Sequence, residues 1–503
     1  MRDPSLLAQL EAYASSGALP MHMPGHKRNL TAAPFLAPLG GGLDITEIDG
    51  FDNLHDAQDV LRREMERASA LWGARRSFFL VNGSTCGLLA AVYAVAAGGG
   101  TAIVARNCHK AVYHALELCG LTPRYLLPDW CAEWGIYGSV SPESVAAALA
   151  DTPNARFVLL TSPTFEGALS DISAIAKLCH QDGVPLLVDE AHGAHLGLGG
   201  FPAEALACGA DVVIQSAHKT LPSLTQTALL HVGGTLVDDR AVARALNIFE
   251  TSSPSYLLMA SLSGCVRWLE EGGPDCFSAW RAGLAAFDEA VSGLTRLRVT
   301  GGAGSPPSGV FGWDGSKRLI LSGPAGRTGP ALMDALRRRY AIELEMSMPH
   351  YALAMTGAGD TPDSLLRLAR ALTELDREAG GAPVSVPLQP PPLPRCARAS
   401  SRRWPGRLSR SRWRTQRVGC ALSTCGPIPP ACRCWSPARR SPPPFWSRPA
   451  PWSGGAWHCA PPRRCRRGRF WFCRTTLLLT IARSMVYSIS VSFELRGKEG
   501  IIP

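Results

Sequence analysis

The most constraining feature of the chain is an alternation, between residues 56 and 232, of short apolar runs with longer segments of helical periodicity. Such an alternation predicts an α/β domain with a mainly parallel sheet. We expect strands at residues 78–81, 101–105, 157–161, 185–189 and 212–216, and helices at about 56–72 (capped by Asp56), 83–98, 112–119 and 171–180. A smaller α/β region should follow, with strands at residues 318–321 and 351–355 and helices at residues 329–340 and 360–378.

Polar and reactive residues gather directly after four of these strands, where open α/β sheets bind their ligands. The four segments are NGST at 82–85, NCHK at 107–110, DEAHGAH at 189–195 and SAHK at 216–219. The first favours a phosphate at a helix N-terminus, although a plain helix cap is an equal alternative. Taken singly, His109 in the second segment is more typical of a structural residue, and the two acids and two histidines of the third segment are compatible with a metal site.

Taken in order, the same segments supply what a pyridoxal-phosphate (PLP) enzyme needs. The aldehyde of PLP requires a lysine amine, and Lys219 is the candidate because burial lowers the pKa of a lysine. The ring nitrogen of PLP requires a carboxylate to stay protonated and accept electrons, and Asp189 ends a predicted strand. The sequence therefore favours PLP chemistry over a metal site, and we expect no metal.

The chain also carries a series of longer blocks in a fixed order. They are MPGHK (23–27), DITE (44–47), RNCHK (106–110), TSPTFEG (161–167), VDEAHGAH (188–195), QSAHKTL (215–221) and SSPSYLLMASL (252–262). These blocks closely resemble those of the bacterial ornithine/lysine/arginine decarboxylase family, and the resemblance extends from residue 21 to about 375. It implies the aspartate-aminotransferase-like PLP-dependent transferase fold, usually as a homodimer with its sites at the subunit interface.

The resemblance also implies roles for individual residues. Lys219 would hold PLP covalently, Asp189 would pair with the ring nitrogen, and His109 would stack on one ring face opposite the small Ala191. The phosphate or its approach would be lined by Ser84, Thr85, Ser216 and His218, and His192 falls in the same cofactor-binding set. Lys219 or His218 would return a proton to the substrate Cα after carbon dioxide has left.

The substrate implied is a basic amino acid, with arginine ranked first, lysine second and ornithine third. A cationic side chain needs an acidic receptor, and the candidates are Glu343 and Glu345, although a surface salt bridge is the commoner role for each. His26, with Asp44 and Glu47, is expected to approach the site of a neighbouring subunit, and a structural role for this acidic pair is equally open. An aminotransferase on the same fold and an inactive chain are the alternatives.

Charge divides the chain into two unlike parts. Residues 391–503 contain 22 basic and two acidic residues, a net charge of +20, so the other 390 residues carry −10 within the total of +10. The tail also holds eight of the 16 cysteines and seven of the 13 tryptophans. A basic tail of this kind is an alternative sign of a polyanionic partner, but its composition is also typical of GC-rich codons translated out of frame.

A shift of reading frame makes the tail interpretable. GC-rich codons for residues 430–439, read two bases later, encode Gly-Val-Pro-Leu-Leu-Val-Pro-Gly-Glu, which resembles a block in the C-terminal domain of the family. We therefore expect residues 386–503 to be a frameshifted remnant of that domain and disordered, after an interface segment at 1–55, a PLP-binding domain at 56–248 and a small domain at 249–385.

The remaining features indicate the compartment and the partners. The first 390 residues contain eight cysteines that stand singly within apolar segments, as is typical of reduced core thiols in the cytoplasm. No run approaches the roughly 20 apolar residues of a membrane-spanning helix, and the N-terminus lacks the pattern of a signal peptide. We expect a cytoplasmic homo-oligomer that binds a small basic amino acid and neither nucleic acid nor membranes.

Overall fold

A seven-stranded, mainly parallel sheet forms the centre of the larger part of the molecule. A computed structural model of the chain describes residues 3–300, 306–387 and 389–390. The strand order is β1-β10-β9-β8-β6-β2-β3, in which β9, β8, β6, β2 and β3 run parallel and the pairs that β10 makes with β9 and β1 are antiparallel. These strands are β1 (Arg76–Leu80), β2 (Gly100–Ala105), β3 (Leu121–Leu126), β6 (Ala155–Thr161), β8 (Leu186–Asp189), β9 (Val212–Gln215) and β10 (Ala228–Val232).

Helices cover both faces of this sheet, which explains why its central strands β6, β8 and β9 are mainly apolar runs rather than alternating ones. Along β9, Val212 and Ile214 pack on one face with α3, α4 and α8, while Val213 packs on the other with α5 and α6. The helices of the first part of the chain are α1 (Leu6–Ser15), α2 (Val60–Leu71), α3 (Gly83–Ala96), α4 (Lys110–Leu118), α5 (Pro142–Ala150), α6 (Ile172–Gln181), α7 (Ala217–Thr220) and α8 (Asp239–Phe249).

A second, antiparallel sheet has the order β11-β13-β15-β14. Its strands are β11 (Arg298–Val299), β13 (Lys317–Leu321), β14 (Met346–Met348) and β15 (Tyr351–Met355). The surrounding helices are α9 (Tyr256–Glu271), α10 (Gly273–Val291), α11 (Gly329–Tyr340) and α12 (Pro362–Arg377), and their apolar faces form one core with this sheet. The two sheets are built from residues 76–232 and 298–355, and the domain boundaries stay a prediction.

Short elements complete the fold. Two-stranded ribbons pair β4 (Trp130–Cys131) with β5 (Ile136–Tyr137) and β7 (Ala168–Leu169) with β12 (Gly312–Trp313), and 3-10 turns lie at Pro34–Leu39, Leu54–Asp56 and Gly323–Ala325. Residues 391–503, on which the frameshift interpretation falls, lie outside the described part of the chain.

The expected start of the first helix of the α/β region is wrong. The helix begins at Val60 rather than after Asp56, which lies in a 3-10 turn. Its first amides are bound by a residue further upstream, since the Asp52 carboxylate accepts hydrogen bonds from the backbone N–H groups of Asp59 and Leu61 at 2.8 and 3.1 Å. A carboxylate brought from outside the helix thus caps it.

Candidate active site

A cavity of about 380 Å³ opens at the carboxyl ends of the parallel strands. All nine residues that the sequence predicts to bind a cofactor line it, and they come from α3, α7, the last residue of β8 and the loops that follow β2, β8 and β9. The lining consists of Gly83, Ser84, Thr85, Leu88, Asn107, His109, Thr161, Phe165, Asp189, Ala191, His192, Ser216, His218 and Lys219. The fold therefore brings together residues that lie up to 136 positions apart in the sequence, at the edge where α/β sheets bind ligands.

The N-terminus of α3 forms one wall of the cavity. Its cap residue Asn82 makes no side-chain hydrogen bond to the first turn and instead donates from its amide to the Phe249 carbonyl at 3.3 Å. The first backbone N–H groups of the helix therefore have no side-chain cap, and the positive end of the helix dipole faces the cavity. Beside them the hydroxyls of Ser84 and Ser216 lie 2.7 Å apart. This wall suits a phosphate group.

Lys219 presents a buried amine to the cavity from the short helix α7. Its Nζ donates a hydrogen bond to Nε2 of His192 at 2.9 Å. Burial lowers the pKa of this amine, the carboxylates of Asp189 and Glu345 oppose that effect, and the charge of Lys317 adds to it. A lysine with a lowered pKa is a better nucleophile near neutral pH, because more of it is unprotonated.

Asp189 ends β8 and points its carboxylate at the same cavity. The residue is only 2% exposed, and one carboxylate oxygen accepts a hydrogen bond from the Ala191 N–H at 3.2 Å. Burial raises the pKa of this carboxyl to about 6, against the lowering effect of the Lys219 charge. A second cation beside Asp189, such as a protonated pyridine nitrogen, would compensate its burial, so the donor set fits PLP.

Three histidines of the cavity are held neutral. Burial, followed by the charges of Lys219 and Lys110, lowers the pKa of His109 to about 4, and its Nδ1 accepts a hydrogen bond from the Ala111 N–H. Burial also lowers the pKa of His192 and His218. Nδ1 of His218 donates to the Thr227 carbonyl at 2.7 Å, which leaves Nε2 of this ring as an acceptor.

The three predicted substrate residues do not line the cavity. Nε2 of His26 lies 3.3 Å from a carboxylate oxygen of Asp44, and Glu343 is exposed and accepts two hydrogen bonds from Arg337 at 2.7 and 2.9 Å. Glu345 is exposed as well, but it lies close enough to Lys219 to raise the pKa of the amine. Of the two predicted acids, the structure thus brings Glu345 towards the site.

Sequence reasoning missed two groups of residues at the site. Asn107, Thr161 and Phe165 line the cavity within blocks that had been recognised, although no role was assigned to them. Beneath the cavity, Asp314 and Lys317 form an ion pair with no exposed surface, from a segment that carried no motif. Two adjacent basic residues, Lys317 and Arg318, at the start of the buried strand β13 are the one signal in the sequence that points to this pair.

Other features of the described residues bear on the sequence analysis. The eight cysteines among them are all free, and six of them are buried, as expected for core thiols. Within the same residues, no group of three or more histidine, cysteine, aspartate or glutamate side chains is arranged to hold a metal ion. None of the described helices combines the length and the apolar character that crossing a bilayer requires.

The chain is similar to known proteins in both sequence and structure. A family model described as "Orn/Lys/Arg decarboxylase, major domain" matches residues 4–273. The uncharacterized protein YaaO of Bacillus subtilis is 43% identical over 263 residues, which make up 51% of this chain and 55% of YaaO. The arginine decarboxylase of Halalkalibacterium halodurans is 31% identical over 375 residues, 74% of this chain and 76% of the relative.

Two solved structures show the fold. Lysine decarboxylase A from Pseudomonas aeruginosa aligns with a TM-score of 0.63 at 21% identity, over 74% of this chain and 60% of that chain. A structure of SPT with PLP aligns with a TM-score of 0.52 at 15% identity, over 70% of this chain and 84% of that chain. The chain thus has the fold of PLP-dependent transferases, and it spans about half the length of YaaO and three fifths of the Pseudomonas enzyme.

Proposed function

The chain belongs to the Orn/Lys/Arg decarboxylase family, and on that premise we propose that it is a PLP-dependent enzyme that releases the α-carboxylate of a basic L-amino acid as carbon dioxide. The observation that carries the proposal is the single cavity in which the amine of Lys219, the buried carboxylate of Asp189 and an uncapped helix N-terminus meet. These are the three groups that PLP requires, one each for its aldehyde, its ring nitrogen and its phosphate.

Arginine is the first candidate substrate, lysine the second and ornithine the third. The order is supported by the Halalkalibacterium relative, which is named an arginine decarboxylase and matches 74% of this chain. The similarity to lysine decarboxylase A rests on 21% identity. An acidic receptor for the cationic end of the substrate is supported for Glu345, because its charge reaches Lys219, more than for Glu343, which is already paired with Arg337.

Each wall of the cavity has its own part in holding the cofactor. Lys219 would bind the aldehyde, Asp189 the ring nitrogen, and His109 and Ala191 would contact the two ring faces. Ser84, Thr85 and Ser216, with the first amides of α3, would bind the phosphate. When bound there, PLP supplies a protonated ring that accepts the electrons left on Cα by the departing carboxylate.

Protein side chains then control charge and protons. The buried carboxylate of Asp189 stabilises positive charge on the ring nitrogen, and in a site screened from water this effect is large. For the proton returned to Cα, the hydrogen bonds support Nζ of Lys219 as the donor. Neutral His218 has its one N–H engaged with the Thr227 carbonyl, so its other nitrogen carries no proton to give.

Assembly as a homodimer and a cytoplasmic location belong to the same proposal. The segment 1–55 presents large apolar side chains to solvent in the single chain, each at least 60% exposed: Leu19, Met21, Met23, Phe35 and Leu39. Burial of such a patch by a second copy would remove apolar surface from water. The free cysteines of the described residues support a reducing compartment.

Release of carbon dioxide from arginine, lysine and ornithine in the presence of PLP tests the proposal. The wild-type chain should release carbon dioxide, and Lys219→Ala should lose at least about a thousandfold of this activity, because Lys219 is the one lysine among the described residues that line the cavity. Lys177→Ala, which removes an exposed lysine on α6, is the matched control and should stay fully active. Activity retained by Lys219→Ala, or a keto acid in place of carbon dioxide, would contradict the proposed function.

A further inference from the structure

A buried ion pair lies directly behind the wall of the cavity that carries His192. Nζ of Lys317 donates to Oδ2 of Asp314 at 2.9 Å, to Oγ of Ser316 at 2.9 Å and to the backbone carbonyl of His192 at 3.1 Å. The other carboxylate oxygen of Asp314 accepts a hydrogen bond from Nε2 of His195 at 3.0 Å. Lys317, Asp314 and His195 have no exposed surface, and all three N–H groups of the ammonium are used.

Stability is a poor explanation for such a pair. Two charges buried in a protein interior lose their hydration, and replacement by apolar residues of similar volume is often neutral or stabilising. The contacts of this pair, by contrast, are highly directional. They join β13 and the residues before it to the turn that follows β8, through a backbone carbonyl at position 192 and a side chain at position 195.

The turn between these two anchors is closely packed. A Cβ added at Gly193 would lie 2.6 Å from Cγ of Glu190 and 2.8 Å from Cδ of Pro163, so the backbone is packed against both. The imidazole of His192 meets the ring of Phe165 edge-on, with the centroids 4.8 Å apart. With its carbonyl held by Lys317 and its ring held by Phe165, the His192 side chain places Nε2 2.9 Å from Nζ of Lys219.

We infer that Lys317 and Asp314 are positioning residues, which fix His192 so that its Nε2 accepts a hydrogen bond from the amine of Lys219. The inference rests on the proposed function only in taking Lys219 as the reactive amine. In this arrangement His192 orients that amine towards the cavity and keeps it from rotating between its other rotamers. If the amine were displaced by about 1 Å, the rate would fall by about one to two orders of magnitude. Holding the amine in place through His192 prevents that loss.

The charges around His192 agree with this role. The groups that act on its ring are Lys219 from α7, Lys317 and Asp314 from β13 and the turn before it, and His109 from the start of α4. Burial lowers the pKa of His192 most, and the charges of Lys219 and Lys317 lower it further. The imidazole is thereby kept neutral, as a hydrogen-bond acceptor at Nε2 must be.

A pair of neutral double variants separates positioning from charge. Lys317→Met with Asp314→Asn removes both charges and the donor to the His192 carbonyl, whereas Lys317→Gln with Asp314→Asn removes the same charges but keeps an N–H donor. The matched control is Arg318→Met with Asp288→Asn. It removes a buried cation at the next position of the same strand, together with its carboxylate partner on α10, and none of the hydrogen bonds or ion pairs that these two residues make within the described chain involves His192.

The experiment measures which nitrogen of His192 carries the proton. Long-range ¹H–¹⁵N correlation spectra of the cofactor-free protein report this tautomer, and the signal that disappears in His192→Asn is assigned to His192. We expect one tautomer, with Nε2 unprotonated, in the wild type, in the control and in the glutamine variant, and exchange between two tautomers in the methionine variant. In the PLP-loaded enzyme the methionine variant should lose about tenfold to a hundredfold in kcat with KM unchanged.

Two results would overturn the inference. One is a folded methionine variant whose His192 spectrum is that of the wild type. The other is a wild-type protein in which His192 is protonated or present as two tautomers near neutral pH, and this second result decides the matter even where the methionine variant does not fold. If neither the wild type nor any variant releases carbon dioxide from a basic amino acid, the proposed function fails. The spectra of the cofactor-free protein still test the positioning of His192 in that case.

Discussion

At the scale of single residues, the cavity holds a carboxylate and an amine that both sit in surroundings unfavourable to their charges. Burial raises the pKa of Asp189 to about 6 and lowers the pKa of Lys219. Such opposed environments are typical of functional sites, because ordinary surface groups are free to ionise in water. In the cofactor-free protein, the buried carboxylate of Asp189 therefore reduces stability at neutral pH.

Asp189→Asn should stabilise the cofactor-free protein at about pH 7.5. Since the folded-state pKa of Asp189 lies above its unfolded value of 3.8, the native state binds the proton more tightly, and stability falls as the pH rises between the two values. Removing the carboxyl should relieve about 3 kcal/mol at pH 7.5 and about 1 kcal/mol at pH 4.5. Urea unfolding at both pH values measures the difference.

Asp49→Asn, which removes an exposed carboxyl group, is the control substitution for that experiment. The asparagine variant at position 189 should also bind PLP more weakly, since it cannot compensate a charge on the ring nitrogen. A gain in stability that is the same at both pH values would show that ionisation of Asp189 is not its cause.

At the scale of elements, helix α3 packs closely against the sheet because its residue Gly87 has no side chain. A Cβ at Gly87 would lie 2.7 Å from Cδ1 of Leu80 in β1 and 3.1 Å from Cγ2 of Ile214 in β9. The helix therefore approaches the strands more closely at this point than any other residue would allow. That approach fixes the height of the N-terminal turn of α3 over the sheet, and with it the predicted phosphate site.

Gly87→Ala should destabilise the protein by about 1–2 kcal/mol, although alanine is the better helix former. The cost arises because the new methyl group must displace two buried side chains. Gly264→Ala in the middle of α9 is the matched control, since nothing lies within 4 Å of the added Cβ, and it should stabilise by up to about 1 kcal/mol. Thermal unfolding of both variants measures this, and equal effects of the two substitutions would refute the packing argument.

The central parallel strands were predictable from sequence, whereas the buried antiparallel strand β10 was not expected and neither were contacts between residues far apart in the chain. The expected β8 and β9 are present because a run of apolar residues is what a doubly covered strand requires. The edge strand β3 was not expected, since its run LTPRYL is buried only at its two end residues and contains Pro123. Lys219 and Asp189 could be predicted from their places after strands, whereas the contact of Lys317 with the His192 carbonyl spans 125 residues and leaves no local pattern.

At the scale of the whole molecule, the net charge of +10 describes neither part of the chain. The first 390 residues carry −10 and contain every residue of the candidate site, and the basic residues 391–503 account for the rest. The frameshift hypothesis for that tail predicts that the gene, read two bases later, encodes Gly-Val-Pro-Leu-Leu-Val-Pro-Gly-Glu across codons 430–439. Sequencing the gene measures this directly, and a different peptide in that frame would reject the hypothesis.

The central claim, that Lys219 is the lysine that binds PLP, is tested most directly by chemical trapping. The protein is mixed with one equivalent of PLP, reduced with borohydride, digested and mapped by mass spectrometry, with Lys219→Ala treated in parallel. We predict one modified lysine in the wild type, at position 219, and no comparable modification in the variant. Modification of another lysine in the wild type, or an unchanged pattern in Lys219→Ala, would contradict the claim.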